Sequence, residues 1–461
     1  MKKFCLVLLL CLTTSLAFAD DRFQFNGYIK NEIGLRTKEQ SYLQKNKNIF
    51  ELAAQYKLME DELVLFGKAK YFYDFAYTKD KLDKAGHYMQ HIQRTEWLRD
   101  LYLDYNKGPW FLRLGKQQVA WGQSDGIAIL DRVNPFDLRE YWQPDFVDLR
   151  IPLWMANINY APKLNSNLQL LFIPDFEESQ AAPPGSPFTF RSYTLFDNFM
   201  KSSAASFDIN MRPPAKQFEH ATWGLQWSDR IGDMDYTLNF LYGPYYTARN
   251  TTRFIPPPIV LPAGKFIVDR AFKLWRVYGG SFNRSFTNPG PMQGITLRGD
   301  FAWYNDEPTY FGDPNAGSSK GIVRWNNIFW LLGVDKYVIT KWLVSFQYAQ
   351  YIMEHKLATN NTFPAYQQVP LNSYTYGAQD RLENIFSLKI STNFMNDRLK
   401  PEVLWSFTDD NQGKVSPKLT YEIQDNLLFT LGWHYFYGNE TDSNGQFRRQ
   451  NQVFTQLKYS F

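Results

Sequence analysis

The chain has 461 residues, with 50 Lys and Arg against 46 Asp and Glu, a near balance that argues against nucleic acid as a partner. Aromatic residues make up 18 % of it while its mean hydropathy is −0.43, out of keeping with a soluble domain so rich in Tyr, Phe and Trp. Both cysteines, Cys5 and Cys11, lie in a stretch that reads as a removable leader, which excludes disulfides, thiol catalysis and Cys-based metal sites.

That leader is MKKFCLVLLLCLTTSLAFAD. Lys2 and Lys3 form a basic start, Phe4 to Leu12 an apolar core, and Ala17-Phe18-Ala19 a small-residue cleavage site. Export with cleavage after Ala19 is expected, leaving residues 20–461 as the working chain. No apolar run is long enough to cross a bilayer as a helix. A barrel of transmembrane strands reconciles the aromatic content with the low hydropathy, because alternate residues meet lipid and the others meet water.

The first strand is expected at FQFNGYIKNEIGLR. Phe23, Phe25, Ile29, Ile33 and Leu35 share one face, and Gln24, Asn26, Lys30, Glu32 and Arg36 the other. NIFELAAQYKLM and ELVLFGKAKYFYDFAY follow, joined by the acidic turn Glu60-Asp61-Glu62. In the second of these Lys68, Lys70 and Asp74 lie on one face, a lysine density that a buried globular sheet would not carry. Continuing in this way, the chain yields eighteen segments, starting near residues 23, 47, 62, 95, 109, 153, 166, 220, 233, 270, 293, 324, 340, 382, 398, 413, 427 and 449. Segments 153–161, 166–174 and 413–423 are weak, so sixteen strands is the competing count. Short turns alternate with longer loops, as expected of an all-β, antiparallel transmembrane barrel.

After the segment that starts at Pro109 the alternation stops. Residues 118–152 interleave acids (Asp125, Asp131, Asp137, Glu140, Asp145, Asp148) with bases (Arg132, Arg139, Arg150). A charged insert of this length between strands is more often functional than bland. We read it as a loop folded into the barrel, where it constricts the passage. Gly122 and Gly126 suit the reversal from wall to lumen. Asn134-Pro135 predicts a short helix, with Asn as cap, Pro at the first helical position, and Asp137 and Glu140 near its positive end.

Of the long loops, Phe176 to His220 contains AAPPGSP and MRPP, Ala248 to Asp269 contains the apolar run FIPPPIVLPAGKFIV, and Lys356 to Asp380 is polar. The Pro-rich run cannot be a central strand; it packs on the surface, over the mouth or against lipopolysaccharide. Trp97, Trp110, Trp154, Trp342, Trp433 and Tyr437 fall near segment ends, as interfacial girdles do. The last segment, QNQVFTQLKYSF, puts Val453, Leu457, Tyr459 and Phe461 on one face and ends on Phe. This resembles the terminal strand of Gram-negative outer-membrane proteins, which the barrel-assembly machinery reads.

Inward parity around the insert selects Arg113 and Gln117 on the fifth strand, with Lys116 beside them a further candidate, Asp100 and Asp104 on the fourth, and Lys68 and Lys70 on the third. Further on it selects Arg298, Asp300, Asp335 and Lys389. With the charges of the insert these are the candidate pore-lining residues, forming either a transverse field for solutes or braces that hold the insert to the wall. Two motifs suggest chemistry of another kind. Gly122-Gln123-Ser124-Asp125-Gly126 matches G-x-S-x-G, but a nucleophile elbow needs an α/β-hydrolase sheet around it. His87 and His91 sit four apart with no further ligand beside them, so no metal site is expected. His434 reads as a hydrogen-bonded lumen histidine.

Leu114-Gly115-Lys116-Gln117, Trp121-Gly122-Gln123-Ser124-Asp125-Gly126 and Asn134-Pro135-Phe136-Asp137-Leu138-Arg139-Glu140 together resemble the signature of bacterial outer-membrane proteins catalogued as domain of unknown function 1302. Tyr102 to Tyr105, Arg150-Ile151-Pro152 and Val277 to Asn283 are also similar. Lys116 and Gln123 depart from the Arg and Glu of many relatives. The resemblance implies a porin-like barrel found beside inner-membrane transporters of the resistance-nodulation-division type and a periplasmic lipid-binding-like protein, with hydrophobic or aromatic substrates. It supplies no catalytic residue and no cofactor. The expectation is therefore a channel for small solutes rather than an enzyme. The alternatives are a conduit for hydrophobic compounds coupled to such a transporter, an outer-membrane lipase using Ser124, and a non-conducting adhesin or structural barrel.

Overall fold

The computed structural model describes residues 21–38, 42–60, 62–76, 97–203, 206–214, 218–255, 264–313, 318–355 and 381–461. The leader, His87, His91 and the polar loop Lys356 to Asp380 lie outside them.

Eighteen strands close into one antiparallel barrel. In chain order they are β1 (Phe23–Arg36), β2 (Leu43–Met59), β3 (Leu63–Asp74), β4 (Leu98–Lys107), β5 (Trp110–Gln117), β6 (Leu153–Lys163), β7 (Ser166–Ile173), β8 (Thr222–Ile231) and β9 (Met234–Pro244). They continue as β10 (Leu274–Ser285), β11 (Ile295–Asp313), β12 (Ser318–Ile339), β13 (Trp342–Ile352), β14 (Leu382–Ser391), β15 (Leu399–Thr408), β16 (Gly413–Gln424), β17 (Leu427–Tyr437) and β18 (Gln452–Ser460). Every expected segment is a strand, and the three weak ones belong, so the count is eighteen and not sixteen. Each strand pairs with its sequence neighbours, and β1 pairs with β18 to seal the ring. Phe461 completes the seam by exchanging two backbone hydrogen bonds with Gly27, each 2.9 Å.

Alternation sets the exterior. On β11, Phe301 and Trp303 point out while Asp300, Ala302 and Tyr304 are buried inside. Leu65, Leu114, Leu225, Leu332, Phe346, Leu431 and Tyr459 continue an exposed apolar band around the barrel. Trp97, Trp110, Trp154, Trp342 and Trp433 are exposed, while Tyr437 of the expected girdle is half-buried.

The interior departs from a uniformly polar lining. From β6 to β13 the inner face carries an apolar patch: Leu153, Met155, Leu171, Ile173, Leu241, Trp275, Val277, Phe329, Leu331 and Ala349 belong to one buried cluster. Residues 118–152 fold against it, contributing Val119, Trp121, Ile129, Leu130 and Val133. Each large side chain so buried contributes about 1.5–3 kcal/mol, so apolar burial is a main part of what holds the first half of the insert.

The helix expected at Asn134-Pro135 does not form. Phe136 bridges Arg150, and Asp137–Leu138 pairs in parallel with Gln180–Ala181. The insert's helix lies instead at Phe146–Leu149. Asn134 has another use, since its side chain ties the two ends of the insert together. Its Oδ1 accepts from Val119 N (2.9 Å), and its Nδ2 donates to the carbonyls of Ile151 (2.9 Å) and Gln117 (3.4 Å). Asn134→Ala strands the buried Val119 amide and should cost about 1–3 kcal/mol, read as a lowered urea midpoint of the barrel in lipid vesicles.

The long loops also gain structure. Phe176 to His220 contains the helix Arg191–Ser202, and the Pro-rich run is bracketed by strands Arg249–Ile255 and Lys265–Ala271. These two form a three-stranded sheet with Ser206–Arg212, burying Phe266 and Val268.

Candidate functional site

Between the insert and the opposite wall lies a cavity of about 1490 Å³. The wall across from the apolar cluster carries the charges: Lys30 on β1, Lys45 and Lys47 on β2, Lys70 on β3, Lys389 on β14, and Lys414 and Lys418 on β16 line it. The insert faces these lysines with acids. Glu140 accepts from Lys47 (2.6 Å) and also from Lys45, which reaches Glu32 on β1 at 3.4 Å. Asp148 pairs with Lys70, and Arg99 clamps the same turn by donating to the carbonyls of Val147 (2.6 Å) and Arg150 (2.9 Å). Asp125 lies 3.5 Å from Lys389.

Burial would raise the Glu140 carboxyl, but Lys45 and Lys47 outweigh it and hold the group well below the ordinary carboxylate value. Asp148 follows the same logic with Lys70. Asp131 behaves oppositely: it is 5 % exposed, and burial pushes its carboxyl up despite the Arg150 guanidinium at 2.6 Å.

At its tip the insert inserts an aromatic anchor. Tyr141, with φ 53°, is buried beside Phe190, Phe436 and Phe447, the last with its ring centroid at 4.6 Å. Trp142 stacks on Phe146 at 5.7 Å and gives its carbonyl to Lys414 Nζ (2.6 Å). The turn at Gly122 is fixed from outside the insert. Asp300 accepts from the amides of Gln123 (2.8 Å) and Ser124 (3.0 Å), and a Cβ on Gly122 would come within 2.8 Å of that carboxylate. With φ +96°, Gly122 is a position that L side chains rarely occupy.

Twelve of the expected site residues line the cavity: Lys70, Lys116, Asp125, Asp131, Arg132, Asp137, Arg139, Glu140, Asp145, Asp148, Arg150 and Lys389. Asp100, Asp104, Arg113, Gln117, Arg298 and Asp300 do not; they brace. Arg113 is paired with Asp104 at 2.6 Å, Asp100 with Lys68 at 3.6 Å, and Arg298 with Asp335 at 3.1 Å. Gln117 donates to the Met155 carbonyl at 3.3 Å. Lys116 lines the cavity although Leu114, two residues earlier, points outward; Gly115 between them has φ +138°, a break in the alternation.

Alternation displayed Lys30 and Glu32, yet their place in the site was not singled out. Lys45 was missed because β2 begins at Leu43, ahead of its expected start. Lys414 and Lys418 were hidden in the weak segment 413–423. His434 is hydrogen-bonded, to Ser416 at 3.0 Å, as expected of it. Ser124 is no nucleophile elbow: it sits in a lumen loop, and its hydroxyl donates to the Ile127 carbonyl at 2.5 Å.

The model of one protein family, described as protein of unknown function (DUF1302), matches residues 38–461. The chain belongs to that family. No curated protein matches the DUF1302 chain. Among solved structures it is similar to a BenF-like porin from Pseudomonas fluorescens Pf-5, at 9% identity and a TM-score of 0.53, covering 96% of this chain and 98% of that one. Pseudomonas aeruginosa OpdK with vanillate aligns with a TM-score of 0.53 at 9% identity, covering 95% and 98%. Acinetobacter baumannii OccAB3 aligns with a TM-score of 0.51 at 12% identity, covering 96% and 100%. At these identities the likeness is one of fold.

Proposed function

We propose that this DUF1302 protein is an outer-membrane channel of a Gram-negative bacterium, exported with cleavage after Ala19, in which residues 118–152 constrict the passage for small solutes. The observation that carries the reading is the ion-paired cavity held between that insert and a lysine-rich wall, inside a closed barrel with an apolar exterior. Water inside and lipid outside is what this arrangement suits. The porins similar in fold support the same role. The β18 strand, with Leu457 and Tyr459 exposed outward, suits recognition by the barrel-assembly machinery, and the apolar band suits membrane lipid, with the long loops facing lipopolysaccharide.

A conduit for hydrophobic compounds working with an inner-membrane transporter is the second reading. The apolar patch of the lumen supports it less than it first suggests, because the insert already covers that surface. The lining carries thirteen basic and twelve acidic residues, so the open channel should discriminate weakly between ions. Hydrolysis through Ser124 has no support in its surroundings.

Recording single channels of the refolded protein in planar bilayers tests this. Steady open steps in KCl are expected, with Asp131→Asn shifting the reversal potential toward anions and Arg132→Gln toward cations. Arg132 meets the Tyr304 hydroxyl at 3.2 Å and, unlike Arg150, has no carboxylate within bridging distance among the described residues. A barrel that never conducts would instead be structural or adhesive.

A further inference from the structure

We propose that the lumen wall of β14–β17 holds a binding site for a small organic monocarboxylate, with the Lys414 ammonium as its charge partner. The inference rests on the channel reading, since the ligand must enter the lumen.

Three lysines face this part of the cavity and share two carboxylates. Glu402 lies 3.6 Å from Lys389 and 3.2 Å from Lys418, and Asp125 lies 3.5 Å from Lys389. Lys414 has neither. Its Nζ donates to the Trp142 carbonyl at 2.6 Å, and among the described residues no carboxylate comes within bridging distance. Lys414 is 8 % exposed. An ammonium has three N–H donors; the Phe436 ring 5.8 Å away is a weak cation–π partner, and burial beside it and one neutral acceptor is costly unless an anion completes the shell.

The pairing also sets the ligand's charge. Of these three lysines Lys414 alone lacks a carboxylate among the described residues, so one negative charge completes it and a phosphate dianion would overshoot. The surroundings favour an organic anion over chloride. Trp142 and Leu404 supply apolar surface along the cavity, and the His434 ring lies stacked on Phe454 at 4.6 Å, next to the Ser416 hydroxyl. A planar carboxylate can take an N–H of Lys414 and lay its body against these groups.

The test is isothermal titration calorimetry of the folded, detergent-solubilised barrel with benzoate, and with benzamide, which has the same ring and no charge. Wild type should bind benzoate and not benzamide. Lys414→Met should weaken benzoate binding by about tenfold or more, the loss of one charged hydrogen bond. Lys414→Arg should retain it, and Lys163→Met, at an exposed turn, should leave it unchanged. Heat-modifiable gel migration confirms that each variant is folded. If Lys414 only docks the Trp142 carbonyl, wild type will treat benzoate and benzamide alike, and the site is refuted. Equal benzoate affinity in Lys414→Met refutes it as well. Binding in a barrel that never conducts would refute the channel reading and leave the site standing, whereas conduction without binding does the reverse.

Discussion

Tyr141→Ala is expected to release the tip of the insert and raise single-channel conductance several-fold, with added open-channel noise. Tyr141 is the anchor of a box that also contains Phe188, Phe190, Phe436 and Phe447, contributed by an outer loop, β17 and the turn before β18. Its hydroxyl donates to Asn444 at 3.3 Å. Removing a buried aromatic side chain of this size costs about 3–5 kcal/mol. The neighbouring tip contacts are polar and do not replace the ring: Glu140 to Lys45 and Lys47, the Trp142 carbonyl to Lys414, and Gln143 to Gln452. The apolar cluster around Ile129, Leu130 and Val133 does not depend on the tip, so the barrel itself should remain folded. Tyr141→Gly supplies a control. It removes the same ring but relieves a left-handed backbone worth about 1–2 kcal/mol, so it should be the less destabilised of the two in urea while conducting as freely. Unchanged conductance in both variants would mean that the insert does not bound the passage.

The second large effect is expected from Glu140→Gln. This change leaves Lys47 without its 2.6 Å partner and Lys45 with only Glu32 at 3.4 Å. Both lysines are largely buried, at 13–14% side-chain exposure. Breaking a buried pair from one side costs about 3–5 kcal/mol. The reversal potential should also move toward anions, because two wall cations lose their screen. The acid response has a defined sign. A carboxyl held below its unfolded value stabilises the fold above about pH 4.3, and that contribution is lost only as pH falls through the lower folded value. Glu140 and Asp148 are both depressed, so their ion pairs should persist from neutral pH down to the ordinary carboxylate range. Asp131 is raised and has the opposite sign: protonating it favours the folded state as pH falls. Conductance recorded from pH 7 to about 4.5 should therefore show no opening of the insert in wild type. Opening within that window would overturn the assignment of Glu140 and Asp148 as latches.

The strands were legible because their physics is local. A wall one residue thick with different solvents on its two sides imposes a period of two on every segment, and eighteen such segments can be counted in the chain. The insert was legible as the place where that period fails. Its internal structure was not. Asn134-Pro135 has the chemistry of a helix start, but the Asn134 amide finds three backbone partners from the two ends of the insert and is spent there. Phe136 to Leu138 then pairs with distant chain instead of coiling.

The candidate site divides in the same way. Order along the chain determined which residues face inward, and so supplied most of the charges on the cavity. It was silent on the apolar patch inside β6 to β13, because an inward Leu and an outward Leu obey one alternation equally well. Only closure of the barrel shows that this patch is covered by the insert, which presses the insert's acids toward the lysines of β1 to β3. Which charges become braces and which remain open to a solute follows from distances across the lumen, between residues as far apart in sequence as Asp125 and Lys389. Period and polarity are properties of neighbours along the chain; pairing across a cavity is a property of the closed cylinder.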